Sequence, residues 1–256
     1  MLEFAAEHRF VLNAHVRALL EVSAASASAR LRTLTRSGCL RYEHKLAGPG
    51  AYQITNRGLR AIGSSRPRPG EIDLATYDHE VGLAWLWLAA SRGGFGPLRG
   101  MASERCMRSE DRLREDPSER FAVRLGGVGR NGGERRHYPD LLLETEAGHR
   151  VAVELELTPK GRRRRHEILG GYALDGRVDS VLYLVDNERT GLAIERAARH
   201  AGIHERVHVA LAHFGRDSGA IGAGRRAERP AADRGARRQV AERGSERPVT
   251  EPEAGR

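Results

Sequence analysis

The chain has 256 residues, with 43 Arg and Lys against 34 Asp and Glu and a formal net charge of +9 at pH 7. That length can bury a core without staples, and its two distant cysteines, Cys39 and Cys106, argue against a disulfide framework or zinc ribbon. The N-terminus MLEFAAEHRF lacks the pattern of an export signal, and the longest apolar run, VGLAWLWLAA at 81 to 90, is too short to span a bilayer. A cytoplasmic protein with no membrane partner is expected.

The basic excess calls for a polyanionic partner, and its location is more informative than its sum. Residues 1 to 62 hold nine Arg and Lys against four acids, residues 63 to 215 hold 24 against 23, and residues 216 to 256 hold ten against seven. The first segment is therefore expected to touch phosphates.

Along that segment, Leu2, Phe4, Ala5, Phe10, Val11 and Leu12 suit a first helix. Asn13 suits the cap of a second, in which Val16, Leu19, Leu20 and Val22 recur at helical spacing. Ser26 is expected to cap a third helix with Ala27, Leu31 and Leu34 inward and Gly38 just past its end. Ser28, Arg32, Thr33 and Arg36 then share the outer face, with small groups early and arginines later, as a major-groove helix requires. "CLRYEHKL" and "AYQIT" flank the Gly/Pro turn "AGPG" as a hairpin, and "NRGLRAIG" closes the unit. The stretch "ARLRTLTRSGCLRYEHKLAGPGAYQITNRGLRAIG" resembles the winged helix-turn-helix domains of bacterial regulators and plasmid proteins. That resemblance implies a recognition helix from Ser26 to Ser37 and a wing carrying Arg41, His44 and Lys45.

"GSSRPRPGEID", residues 63 to 73, has the composition of a linker. Beyond it Thr76 is expected to cap a helix from Tyr77 to about Ala90, with Val81, Trp85 and Leu88 on one face. "SERCMRSEDRLRED" is a second helical segment, followed by the glycine-rich "GGVGRNGGERR". The formal GxGxxG within it leads into an apolar run and not a helix, which argues against a dinucleotide site. His204 and His208 have helical metal spacing, but "RVHVALAHF" alternates like a strand.

"DLLLE" and "RVAVELELT", separated by "TEAGH", read as antiparallel strands, and alternation places Glu154 and Glu156 on one face, about 7 Å apart, with Asp140 at the start of the neighbouring strand. "RRRRHEILGGYALD" reads as a helix, "SVLYLV" as a buried strand, "GLAIERAARHAG" as a helix and "RVHVALA" as a last strand, an α/β layer order. This order, with Pro139-Asp140 and then Glu154, resembles the PD-(D/E)xK restriction-endonuclease-like fold. The resemblance implies Mg²⁺ or Mn²⁺ held by Asp140 and Glu154, with Glu80 and Glu156 as further acids, and a catalytic cation. Where that motif has lysine this chain has Glu156, so Lys160, or one of Arg162 to Arg165, would have to reach back.

With "YDHEVGLAWL", "PDLLLE", "VAVELELT" and the basic helix added to the winged helix, residues 2 to 213 look like the actinobacterial plasmid replication-relaxation family. The expected organisation is a winged helix at 1–62, a linker at 63–73, a nuclease-like α/β domain at 74–215 and a disordered tail at 216–256, which is poor in large apolar residues. The expected function is docking on double-stranded DNA in plasmid replication, relaxation or mobilisation, alongside a relaxase or replication proteins. A metal-dependent DNA endonuclease is the first alternative and a winged-helix transcriptional repressor the second; without catalysis no cofactor is required.

Overall fold

A computed structural model describes residues 1–44, 49–129 and 132–212. Lys45 and the 216–256 tail, and with them the expectations placed there, lie outside the described residues, as do Arg130 and Asn131.

The N-terminal lobe runs α1 (Leu2–Glu7), β1 (Val11–Leu12), α2 (Asn13–Leu20), α3 (Ala24–Arg36), β2 (Leu40–Glu43), β3 (Ala51–Ile54) and α4 (Asn56–Ala61), with the strands antiparallel in the order β1-β3-β2. Val11 and Leu12 are strand and not helix, pairing with Tyr52 and Ala51. The change of course is fixed at Leu12, whose N–H donates to His15 Nδ1 at 3.1 Å, so α2 is capped by His15 and not by Asn13. Asn13 instead donates across to Ser28 Oγ at 2.8 Å. α3 starts two residues before the expected cap, because Ser23 Oγ accepts from Ser26 N at 3.2 Å. It ends at Gly38, whose φ of +73° is a left-handed conformation that glycine adopts without strain.

The 63–73 stretch is tied down. Arg66 pairs with Glu7 at 2.5 Å, Gln53 Nε2 donates to the Gly70 carbonyl at 2.9 Å, and Ile72 is buried. It leads through a short 3-10 turn, capped by Asp73 and not by Thr76, into α5 (Tyr77–Ser91). This helix has two apolar stripes at helical spacing. Val81, Ala84, Trp85 and Leu88 join the core of the N-terminal lobe, while Leu83, Leu86, Trp87 and Ala90 pack on the sheet that follows, with Trp87 touching both cores. A helix that is apolar all round belongs between two layers.

The second lobe continues with β4 (Leu98–Ser103), α6 (Glu104–Asp111), β5 (Val123–Val128), β6 (Glu134–His137), β7 (Leu141–Thr145), β8 (Arg150–Glu156), α7 (Arg162–Leu174), β9 (Ser180–Val185), α8 (Glu188–His200) and β10 (Val207–Leu211). Its main sheet has the order β10-β9-β8-β7-β4, antiparallel from β4 to β8 and parallel from β8 to β10. Strand alternation sends Val153 and Leu155 towards α5, and Ala152, Val181 and Tyr183 towards α7 and α8. The glycine-rich stretch is an antiparallel β5–β6 hairpin and not a plain loop. β5 lies close under α7, where a Cβ at Gly171 would stand 2.8 Å from the Arg124 carbonyl oxygen. Among the described residues no helix is long and apolar enough to cross a membrane.

Two histidines are buried where the N-terminal lobe meets α5, with His15 edge-on to Trp85 and His8 edge-on to Trp87. Burial pushes His15 down to about 3, and burial, helped by His15 and Arg105, holds His8 well below the ordinary range. An unfolded chain takes up these protons near pH 6.5. The stability that neutral His15 contributes is therefore present above about pH 6.5 and lost as pH falls towards about 3. The urea midpoint should drop over that range, and His15→Gln, which keeps an acceptor for Leu12 N–H but does not titrate, should flatten the drop. Fluorescence of Trp85 and Trp87, the two tryptophans of the chain, reads the transition at this joint.

Candidate functional site

The alternation that buries Ala152 also carries Glu154 and Glu156 beneath α7, at 0% and 1% exposure. Two buried carboxylates without partners would cost several kcal/mol each, and β6, α7 and the turn after β8 supply the partners. Glu154 Oε1 accepts from Tyr172 Oη of α7 at 2.6 Å and lies 2.5 Å from His137 Nε2 of β6. Glu154 Oε2 has no hydrogen-bond partner but lies 3.5 Å from Lys160 Nζ. Glu156 Oε1 accepts from Arg165 Nη2 and from Lys160 N, both at 2.9 Å, while its Oε2 is 3.9 Å from Lys160 Nζ. Asp140 is placed by the turn into β7, where its Oδ2 accepts from Leu155 N at 2.8 Å and meets His79 Nε2 at 3.3 Å.

Burial alone would raise the Glu154 carboxyl, but His137 and Lys160, with hydrogen bonds from His137 and Tyr172, outweigh it and hold the group below the usual range. Burial likewise works against the charge on Lys160, and Glu154, Asp140 and Glu156 together push the ammonium up. Tyr172 is raised well above the phenol range by burial and by Glu154. The centre is thus an ionised carboxylate, an ammonium and a neutral phenol in mutual contact.

Asp140, Glu154, Glu156 and Lys160 come together. The run at 162 to 165 divides: Arg165 is buried against Glu156, Arg163 and Arg164 turn to Glu167, and Arg162 is exposed. Glu156 Oε1 is taken up by Arg165, while its Oε2, like that of Glu154, accepts no hydrogen bond. Glu80 pairs with Arg9 of the N-terminal lobe at 3.0 Å, and burial, partly offset by Arg9, pushes it up to about 7. It lines a small cavity together with Arg9, Arg105 and Asp140, but the residue of its helix that touches Asp140 is the preceding one, His79.

His79, His137 and Tyr172 do not stand out in the sequence. His79 had the available signal of a histidine in the first turn of the helix chosen for Glu80. His137 lies three residues before Asp140, whereas Tyr172 looks like any core position of α7.

On α3, Arg32, Thr33 and Arg36 are exposed and Ser28 is half-buried, turned to Asn13 of α2. Among the described residues neither Arg32 nor Arg36 has a carboxylate partner. Arg41 is committed to Glu43 at 2.7 Å and Gln53 at 2.5 Å, and His44 is exposed. Ser28 and Arg41 thus serve the lobe's own structure, while the arginines of α3 project outward.

Comparison with known proteins returns no matching family model, no matching curated protein and no matching solved structure. The functional reading therefore rests on the geometry of the site and on the motifs.

A divalent ion can be tested against these side chains. Among the described residues no three His, Cys, Asp or Glu side chains converge as a cage, which disfavours a structural zinc site. Mg²⁺ requires no cage, since it takes one or two carboxylates and completes its shell with water and substrate phosphate. Asp140 and Glu154, whose Oε2 accepts no hydrogen bond and faces only the Lys160 ammonium, fit that demand.

Removing the phenol isolates one of these interactions. Tyr172→Phe keeps the ring but takes a hydrogen bond from a buried charge, and should lower stability by about 2 kcal/mol at neutral pH, read by urea denaturation.

Proposed function

We propose that this protein docks on duplex DNA through its N-terminal lobe, acting as a winged helix, and hydrolyses a phosphodiester at the Asp140, Glu154 and Lys160 centre. The observation that carries the reading is the ion pair of Lys160 Nζ, at 3.5 Å, with Glu154 Oε2, a buried oxygen that accepts no hydrogen bond. The cation missing from its motif position is supplied four residues further on. The order of α5, three antiparallel strands, α7 and a parallel strand supports a nuclease-like lobe. The three strands of the N-terminal lobe and the exposed arginines of α3 support a DNA-reading one. The setting, plasmid replication, relaxation or mobilisation in the cytoplasm beside a relaxase or replication proteins, rests on the motif resemblance.

His137 and Tyr172 hold Glu154 Oε1 and so leave Oε2, itself buried, turned to Lys160 Nζ. When bound, Mg²⁺ or Mn²⁺ held by Asp140 and Glu154 would lower the pKa of water and neutralise charge on the phosphate. Lys160, drawn to the carboxylates, would orient the attacking water and offset negative charge building on the phosphate oxygens. His79 steadies Asp140 from the helix that also packs against the N-terminal lobe.

A second reading, a DNA-binding module without chemistry, has one observation in its favour. His137, Tyr172, Lys160 and Arg165 compensate both buried glutamates within the chain itself.

Two experiments separate the readings. Supercoiled plasmid with Mg²⁺ or Mn²⁺ should be nicked by the native protein and left intact by Asp140→Ala and by Glu154→Ala; intact plasmid with native protein sinks the hydrolytic reading. In gel shift at moderate salt, Arg32→Ala with Arg36→Ala should weaken duplex binding by roughly tenfold or more, since each arginine removed takes with it a hold on a phosphate or a base. Unchanged affinity would remove α3 from the interface.

A further inference from the structure

We infer that the seam between β6 and α7, formed by Arg135, Arg163 and Arg164 around Glu167, is a phosphate-binding site that holds the DNA backbone beside the acid centre. The inference rests on the DNA-processing reading above and adds to it a path for the strand. Arg135 makes a two-pronged contact with Glu167, its Nη1 donating to Oε1 at 3.2 Å and its Nη2 to Oε2. Arg163 Nε donates to the same Oε1 at 3.1 Å, and Arg164 Nη1 lies 3.8 Å from Oε2. Three cations thus share one anion, with no other acidic partner for them among the described residues.

Donor arithmetic leads to the same place. Three guanidiniums carry about fifteen N–H donors, and one carboxylate offers about four acceptor sites. The side chains of Arg135, Arg163 and Arg164 are 30%, 90% and 42% exposed, so the spare donors face outward. A cluster that keeps a surplus of two positive charges at a surface takes up a further anion, and a phosphate accepts forked guanidinium donors as a carboxylate does.

The placement identifies the anion as backbone. Arg135 and His137 are same-face neighbours on β6, about 7 Å apart, comparable with the interval between successive phosphates of one strand. His137 holds Glu154 directly, and Tyr172, on the same helix as Arg163 and Arg164, holds the same oxygen. The two elements that build the acid centre therefore also build the arginine seam, and a strand reacting at the centre would lay its neighbouring phosphate on the seam.

The experiment is fluorescence anisotropy of a short labelled duplex of mixed sequence, in EDTA so that cleavage plays no part, at several salt concentrations. The full chain is compared with Arg163→Ala/Arg164→Ala and with Glu167→Gln, and circular dichroism verifies each fold. The double variant should bind more weakly, with the slope of log K against log salt reduced in magnitude by about 0.9 for each phosphate no longer neutralised. Glu167→Gln should bind roughly threefold tighter or more, because it removes the anion that competes for the arginines. If Glu167→Gln binds no better than the native chain, the cluster is a structural salt bridge and the inference fails while the DNA reading stands. The inference fails in the same way if the double variant keeps the native affinity and slope. Inorganic phosphate displacing the duplex at comparable concentration would assign the seam to small anions and overturn it. A native chain that binds no duplex overturns both this inference and the reading beneath it.

Discussion

The constraint on which the rest depends is that α5 is apolar on two faces. A helix of 15 residues with one apolar stripe can lie on a surface; one with two must be covered from both sides. Each large side chain so buried contributes about 1.5–3 kcal/mol, and the 63–73 segment that leads into it is held by Arg66 on Glu7 and by Gln53. The N-terminal lobe and the sheet of the second lobe are each completed by this one helix. Its first turn then falls where His79 meets Asp140 and Glu80 meets Arg9.

A second demand follows inside the sheet. Strand alternation carries Glu154 and Glu156 to the face that α7 covers, so their charges have to be met by side chains. The chain meets them with four groups from three stretches: His137 from β6, Lys160 from the turn after β8, Arg165 and Tyr172 from α7. Exact placement matters because a carboxylate deprived of one partner in this setting is an uncompensated charge, not a weaker bridge. Glycine at 171 is part of the same solution, since it lets α7 settle against β5 close enough for Tyr172 to reach Glu154.

The parts of this architecture visible in the sequence were those with a clear period or a clear stop. The helix after 76, the strands at 141–145 and 150–156, and the helix from Arg162 were read close to where they lie. So was the possibility that Lys160 reaches back, because a turn after a strand brings its residues over the strand's end. β1 was missed because Phe10, Val11 and Leu12 are continuous apolar residues, compatible with either period, and a hydrogen bond to His15 decided the matter. β4 was missed because LRGMAS neither alternates nor carries β-branched residues, and is held by its pairing to β7. The second stripe of α5 is hidden because one apolar face, Val81, Trp85 and Leu88, already accounts for a helix lying on a single layer. His137 and Tyr172 could not be ranked above other polar or core positions, since their importance comes from a carboxylate 17 and 18 residues away in the chain.

The shared helix also bears on how such a protein can arise and change. A gene boundary drawn in the Gly/Pro-rich stretch before residue 74 looks harmless, yet it would leave Phe10 without Tyr77 stacked on it and His15 without Trp85 against it. Each lobe needs a helix bearing the one apolar face it packs on: Val81, Ala84, Trp85 and Leu88 for the N-terminal lobe, Leu83, Leu86 and Ala90 for the sheet. A cut at residue 74 thus strips the N-terminal core of its cover and leaves the other lobe with an uncovered apolar stripe.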